Sequence, residues 1–384
     1  MNLAEAAWSL LERALPHYRD SPRAEAFLGT AMARLTGPLR VTVTGPPRSG
    51  RTTLLNAVVG EPVPPGTDRL TVDWPGDVEL VDAPETDTDA VVHLLPHPAA
   101  DTRPLRPAAA VSTLVVLSRA DELGGGRVDA LVSARQVARR RARSAELGGL
   151  CQDVLAVAGS LALGASLLTP TEASALAALG RVPRAELDPV LLSADRFATA
   201  FPAEGPALLT RLGLFGVRLA ATQARRGLTG AALAAELVRA SGITELRTAI
   251  GTRFTERSPV LRARTALLGL EAVLRREPRA PALAAEVERV LAGAHELREL
   301  RLLADLDTGR VSLGEEVAEA RYLLGAQGTT PAARLAVSDD AHTAVLRWRA
   351  HAEDPRRDSR ARRAALVVVR SCEELVTRGA TTAP

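Results

Sequence analysis

Gly45 to Thr53 reads GPPRSGRTT, two glycines bracketing four residues, then a basic residue and two hydroxyls. Glycines so spaced let backbone N–H groups wrap a phosphate chain; the basic side chain charges its terminal phosphates, and the next hydroxyl ligates Mg²⁺. Gly45, Ser49, Gly50, Thr52 and Thr53 suit that chemistry, whereas Arg51 stands where the loop carries lysine. A planar guanidinium cannot replace a compact ammonium without displacing the phosphates or its own stem. Pro46 and Pro47 remove two backbone donors. Three outcomes stay open: a working loop with Arg51 in the lysine's role, a loop that binds nucleotide weakly without turnover, and a loop kept only for the fold.

Three further stretches match the phosphate loop. VELVDAPETD, from Val78, offers Asp82 as the carboxylate that reaches Mg²⁺ through water, with Glu85 where such a segment has glycine. A carboxylate there would repel a γ-phosphate, and the plain alternative is that Asp82 is a turn residue before Pro84. Ser118, Arg119 and Asp121 end a strand-like run in the manner of Asn-Lys-x-Asp, which reads guanine; Asp121 would accept from the base, and the stem of Arg119 would lie under the ring. Asp121 as a simple cap is the competing reading. Ala158, Gly159 and Ser160 would offer a backbone N–H to the guanine carbonyl. No nucleophile triad or metal spacing stands out: His93 and His97 are separated by Pro96 and read as incidental.

These residues need a scaffold. From Leu39 the chain carries short β-rich runs, LRVTVTG, LTVDW, VELVDAP, AVVHLL, TLVVLSRAD and VLAVAG, mostly apolar on consecutive positions. That pattern predicts a mainly parallel sheet covered on both faces, with the glycine-rich loop between the first strand and a helix. A helix over Arg127 to Leu147 would cover one face. Helices are expected before the sheet, at Leu3 to Tyr18 and Pro22 to Leu35, the second capped by Asp20 or Ser21 with Pro22 in its first turn. Beyond Gly159 the pattern is helical, at roughly Thr171–Leu179, Pro206–Leu212, Val217–Arg226, Ala231–Ala240 and Thr244–Thr255, and the last third is helical throughout. The expected organisation is an α/β P-loop GTPase-like domain (38–255) inserted in an all-α bundle (1–37 with 256–384).

Composition supports this reading and limits the partners. The 384 residues contain no lysine, so all 48 basic residues are arginines, and the net charge is +3, too balanced to imply nucleic-acid binding. Cys151 and Cys372 have no companion at metal spacing and read as free buried thiols in a reducing cytoplasm. The most apolar segment, Val154 to Leu168, is shorter than the ~20 residues that cross a bilayer. DPRRDSRARRAA, from Asp354, would touch anionic lipid or simply be a solvated helix start.

PLRVTVTGPPRSGRTTLLNAVVGEPVP, SRADELGGGRVDALVSARQVARR, GLCQDVLAVAGSLA and FGVRLAATQARRGLTGAALAAELVRASGITELR together resemble the small dynamin-like GTPases of high-GC Gram-positive bacteria, the group that includes the isoniazid-inducible mycobacterial proteins. The resemblance implies a GTPase head among stalk helices, GTP or GDP with Mg²⁺, head-to-head dimers or pairing with a second dynamin-like GTPase, and work at the cytoplasmic membrane face. The segments from Gly60 to Asp82 and from Asp82 to Asp89 are short beside that family's switch regions. With Arg51, Glu85 and Ser118, this favours a catalytically reduced head. A slow GTPase and a cytosolic helical scaffold are the alternatives.

Overall fold

A computed structural model describes residues 2–381 apart from 65, 68, 73–75, 83–87 and 339. Two helices come first, α1 (Leu3–Ala14) and α2 (Pro22–Arg34). The sheet follows: β1 (Leu39–Thr44), α3 (Arg51–Val59), β2 (Arg69–Val72), β3 (Val78–Val81), β4 (Ala90–Leu95), β5 (Thr113–Leu117), α4 (Ala130–Arg143) and β6 (Asp153–Ala156). Seven helices complete this unit: α5 (Gly159–Ser166), α6 (Pro170–Leu179), α7 (Arg184–Val190), α8 (Ala194–Ala200), α9 (Gly205–Arg225), α10 (Gly230–Ala240) and α11 (Ile243–Arg253). The remainder is α12 (Ser258–Arg276), α13 (Pro281–Gly293), α14 (His295–Thr308), α15 (Val317–Leu323), α16 (Pro331–Arg334), α17 (Ala341–Glu353) and α18 (Ser359–Thr381).

The sheet order is β2-β3-β1-β4-β5-β6. All pairings are parallel except the edge pair, where β2 runs antiparallel to β3 and sets Thr71 opposite Glu79. β1, β4 and β5 are buried almost end to end, which is why they read as consecutive apolar runs. One face packs on α4, α6, α9 and α10. The other packs on α3 and α11, joined by Leu261 of α12 and Leu300 of α14. The mostly parallel sheet with helices on both faces matches the expectation.

The outer helices form two further cores. α1 and α2 bury Leu3, Leu10, Leu11 and Leu28 against Leu267, Leu270 and Leu274 of α12 and Leu283 and Val287 of α13. Polar ties follow the same path, with the Tyr18 hydroxyl donating to the Glu277 carbonyl at 2.6 Å and Leu3 N–H to Glu296 at 3.0 Å. Ser21 stands at the cap of α2 but makes no capping bond; its hydroxyl instead donates to Glu277 at 3.1 Å, at the end of α12. The second core joins α14, α15, α17 and α18 around Trp348.

Both cysteines are buried and free, Cys151 beneath β6 and Cys372 on α18. Burial pushes each thiol up to about 12 from an ordinary 9.0. The unfolded thiol therefore loses its proton first, so the unfolded chain binds fewer protons above pH 9 and stability falls as pH rises toward 12. The expected slope is about 1.4 kcal/mol per pH unit for each thiol, read from urea midpoints of the wild type against Cys151→Ala and Cys372→Ala. Midpoints of wild type and variants that track one another through this range would remove the thiols as the cause.

Candidate functional site

The turn from β1 into α3 is built around glycine. Gly45 has φ +154°, and a Cβ there would lie 2.7 Å from Ser49 Oγ and 2.9 Å from Leu94 Cβ, so only glycine lets the loop close against β4. Among the described residues, Arg48 is the non-glycine residue with positive φ, at +62°. Gly50, at φ +89°, presents its open side to space with nothing within 4 Å. Ser49 N–H bonds back to Pro46 O at 3.1 Å, and Arg51 opens α3. A glycine-rich turn thus delivers the N-terminus of a helix to the end of a central strand, an arrangement that favours anions.

Residues far apart in sequence converge here. Thr52 Oγ1 donates to Asp82 Oδ2 at 3.3 Å, and Arg51 Nε stands 3.5 Å from Asp82 Oδ1. Ser118 Oγ donates to the Ser49 carbonyl at 2.6 Å, and Arg119 Nη2 to the Arg48 carbonyl at 2.8 Å. The second Arg119 nitrogen meets Glu122 at 3.1 Å. Arg119 therefore spans two loops, where an extended stem under a base was expected. Asp121 is half-buried in the short 3₁₀ turn Ala120–Gly125; burial raises its carboxyl, Glu122 adds to that, and its own backbone N–H and Arg119 oppose it.

The expectation for Ala158 is corrected. Its N–H donates to the Ser241 carbonyl at 2.8 Å, so it is already committed to the corner between α10 and α11. Gly159 has a packing reason to be glycine: a Cβ would sit 3.4 Å from Thr53 Cγ2 and 3.7 Å from the Leu54 backbone, where α5 approaches α3. Thr67 lies half-buried in the loop before β2, and Thr71 is exposed on β2. Glu85 lies outside the described residues.

The histidine set aside as incidental is part of this region. His93 is 5% exposed on β4, and its Nδ1 bonds Thr44 Oγ1 at 2.9 Å, directly before Gly45. Burial lowers its pKa, with Asp101 opposing, so it is held neutral. The apolar run of β4 carried the signal: His93 is the polar residue inside it, between Val92 and Leu94. Asp89 was also missed. It bonds Arg34 Nη2 at 2.7 Å and Arg40 N–H at 3.0 Å, pinning α2 to the base of β1. Among the described residues, no cluster of His, Cys, Asp or Glu could hold a metal, and no helix is long and apolar enough to cross a membrane.

Strand, glycine-rich turn, helix and a carboxylate at the end of the neighbouring strand define an α/β protein with an anion-favouring turn at the end of a central strand. No family model matches the sequence. The chain is 32% identical to the isoniazid-induced protein IniC of Mycobacterium tuberculosis, strains CDC 1551 / Oshkosh and ATCC 25618 / H37Rv, over an alignment covering 98% of this chain and 99% of IniC. It belongs to the IniC-type family. That alignment runs to 487 positions against a chain of 384, so IniC carries segments absent here. The LeoA bacterial dynamin GTPase from ETEC is 15% identical, with 84% of this chain and 57% of LeoA covered at a TM-score of 0.24, a likeness too slight to carry an argument.

Proposed function

We propose that this chain is a dynamin-like protein whose nucleotide site is reduced to weak binding or none, serving as the partner or scaffold of an intact dynamin-like GTPase. The carrying observation is the Arg51–Asp82 contact: the basic side chain at the lysine's position is a guanidinium, and it turns to the carboxylate on the Mg²⁺ side. The residues nevertheless fit a phosphate-bearing nucleotide. Ser49 Oγ and Asp82 Oδ1 are buried without a hydrogen-bond partner, and Gly45 and Gly50 keep the cradle free of side chain. Gly45, Ser49, Gly50, Arg51, Thr52 and Thr53 would hold the phosphates, with Thr52 and Asp82 on the Mg²⁺ side. Mg²⁺, when bound, would neutralise phosphate charge.

The chain's own part is as follows. Binding would require Arg51 to leave Asp82 and turn to phosphate; the pair is 40% and 20% exposed and worth about 0–1 kcal/mol, so the weakness lies in the fit of a planar guanidinium to the phosphates rather than in the ion pair. Arg119, held by the Arg48 carbonyl, braces the loop, and Asp121 and the Gly159 amide face the base. In this reading residues 38–255 form the head, inserted between residues 1–37 and the bundle 256–384. The shared core of α1, α2, α12 and α13 supports that division. The head would pair with a second copy or a related GTPase, peripherally at the cytoplasmic membrane face.

Binding of a fluorescent GTP analogue, with and without Mg²⁺, tests the reading. Weak binding or none, with hydrolysis at background, is expected; micromolar affinity with Mg²⁺-dependent turnover would sink it. The preserved Thr52–Asp82 contact favours one alternative, a slow GTPase awaiting dimerisation. It requires turnover that rises with protein concentration and is lost in Thr52→Ala.

A further inference from the structure

A second cationic feature lies away from the glycine-rich loop. Where the segment after α4 meets α14 and the start of α18, a cleft of about 750 Å³ is lined by Arg143, Arg298, Arg301, Arg310, Arg360 and Arg363, with Asp305 as its sole carboxylate. This imbalance stands out in a chain of 48 basic and 45 acidic residues. An arginine cluster alone would mean little in a chain without lysine. Here it is concave, and its cations come from three separate segments.

Two arginines build the cleft rather than serve it. Arg310 bonds Asp305 at 3.2 Å and the Gln152 carbonyl at 2.6 Å, and also donates to Gly148, tying the floor together. Arg143 Nε donates to the Thr308 carbonyl at 2.8 Å, and its guanidinium lies against Gly309. Arg301, Arg360 and Arg363 make no ion pair among the described residues, and all three are exposed. Arg301 and Arg360 nonetheless act on the same carboxylate, since both, with Arg310, draw the Asp305 carboxyl down against the burial that raises it. Three guanidiniums thus face one cavity from α14 and α18 with their donors uncommitted.

We infer that this cleft binds a phosphate-bearing anion, with Arg301, Arg360 and Arg363 as its ligands and Arg143 as a positioning residue. Guanidinium forks match phosphate oxygens two at a time, and several converging on one concavity reward a multiply charged group over chloride or an isolated carboxylate. Such a ligand would bridge α14 to α18 within the second helical core, over a floor that Arg143 and Arg310 tie to the sheet unit. The proposal stands independently of nucleotide binding at Gly45–Thr53.

A soluble phosphate and a phospholipid headgroup share this chemistry, and two probes separate them. Inorganic pyrophosphate is titrated into the full chain by calorimetry, and vesicles of phosphatidylcholine with or without phosphatidylglycerol are co-sedimented with it. Wild type is expected to bind at least one probe. Arg301→Gln/Arg360→Gln/Arg363→Gln should weaken that binding about tenfold or more at low salt, while Thr52→Ala binds as wild type. Pyrophosphate binding assigns a soluble ligand, and binding to phosphatidylglycerol vesicles alone assigns a lipid headgroup. Should the triple variant melt early, Arg301→Gln and Arg363→Gln, from opposite walls, are each expected to cost about threefold. Failure of wild type to bind either probe, equal binding by wild type and the arginine variants, or loss in Thr52→Ala instead would overturn the proposal.

Discussion

Gly242→Ala is expected to lower the unfolding free energy by about 3 kcal/mol or more, as two costs fall on one methyl group. The residue has φ +84°, and a Cβ would lie 2.2 Å from the Ala156 carbonyl oxygen and 3.3 Å from its carbon, backbone that cannot swing away. Ser241 and Gly242 form the corner between α10 and α11, and this corner docks on the end of β6. Ser241 is fully buried, receives the Ala158 N–H through its carbonyl, and returns its hydroxyl to Val238 at 2.6 Å. Pushing the corner off β6 therefore also shifts Ala158 and Gly159, so any guanine-analogue affinity should fall with stability. Gly124→Ala separates the two costs: Gly124 has φ +63° but open space around it, and is expected to lose only about 1 kcal/mol. Urea midpoints decide the matter, and equal losses at both positions would show that the Ala156 contact carries nothing.

Asp89→Leu is expected to cost about 3–5 kcal/mol, the range for breaking a buried ion pair from one side. The Asp89 side chain is 1% exposed and that of Arg34 10%. The same oxygen serves the Arg34 guanidinium and the Arg40 N–H, so the substitution removes a carboxylate from a buried cation and an acceptor from the first turn of the β1 ladder. Burial already lowers the Arg34 pKa, with Asp89 the main opposing influence. The double variant Asp89→Leu/Arg34→Met should recover much of the loss, since an apolar pair carries no desolvation penalty. A single variant within about 1 kcal/mol of wild type in chemical unfolding would mean the pair is not what fastens α2 to the sheet.

Strand existence was legible residue by residue. β1, β4 and β5 are apolar at consecutive positions because both their faces are covered, and each of the six β-rich runs contains a strand. The helix expected over Arg127 to Leu147 is α4, shorter at both ends, and the break anticipated between Leu212 and Val217 is the non-helical Gly213 inside α9. α5 was missed because SLALGAS is apolar all round and gives no period; Gly164 is there so that α5 can touch α9, where a Cβ would fall 2.0 Å from the Arg211 carbonyl oxygen. α7 and α8 bury one side chain each, Leu187 and Phe197, too few to print a period.

The site divided differently. Backbone requirements, such as Gly45 and Gly50, were written in residue type, since only glycine takes those conformations cheaply. Thr52 with Asp82 followed from spacing. Where a long arginine goes is decided by acceptors folding brings near it, so the turn of Arg51 to Asp82 and the reach of Arg119 to Arg48 left no mark in the sequence. The same holds for the Ala158 amide, whose acceptor lies on another corner of the chain.

The packing of α1 and α2 against α12 and α13 also sets an order of events during synthesis. Leu10, Leu11 and Leu28 have their α12 and α13 partners more than two hundred residues downstream, so the surface that faces those helices stays open while the intervening sheet unit is emerging. At typical elongation rates of about 5–20 residues per second, the first two helices wait roughly ten to fifty seconds as exposed amphipathic surface. The sheet unit has meanwhile all its own strands in hand and can close first. A nascent chain stalled after α11 should therefore hold a protease-resistant middle and a protease-sensitive beginning, the reverse of simple N-terminal-first folding.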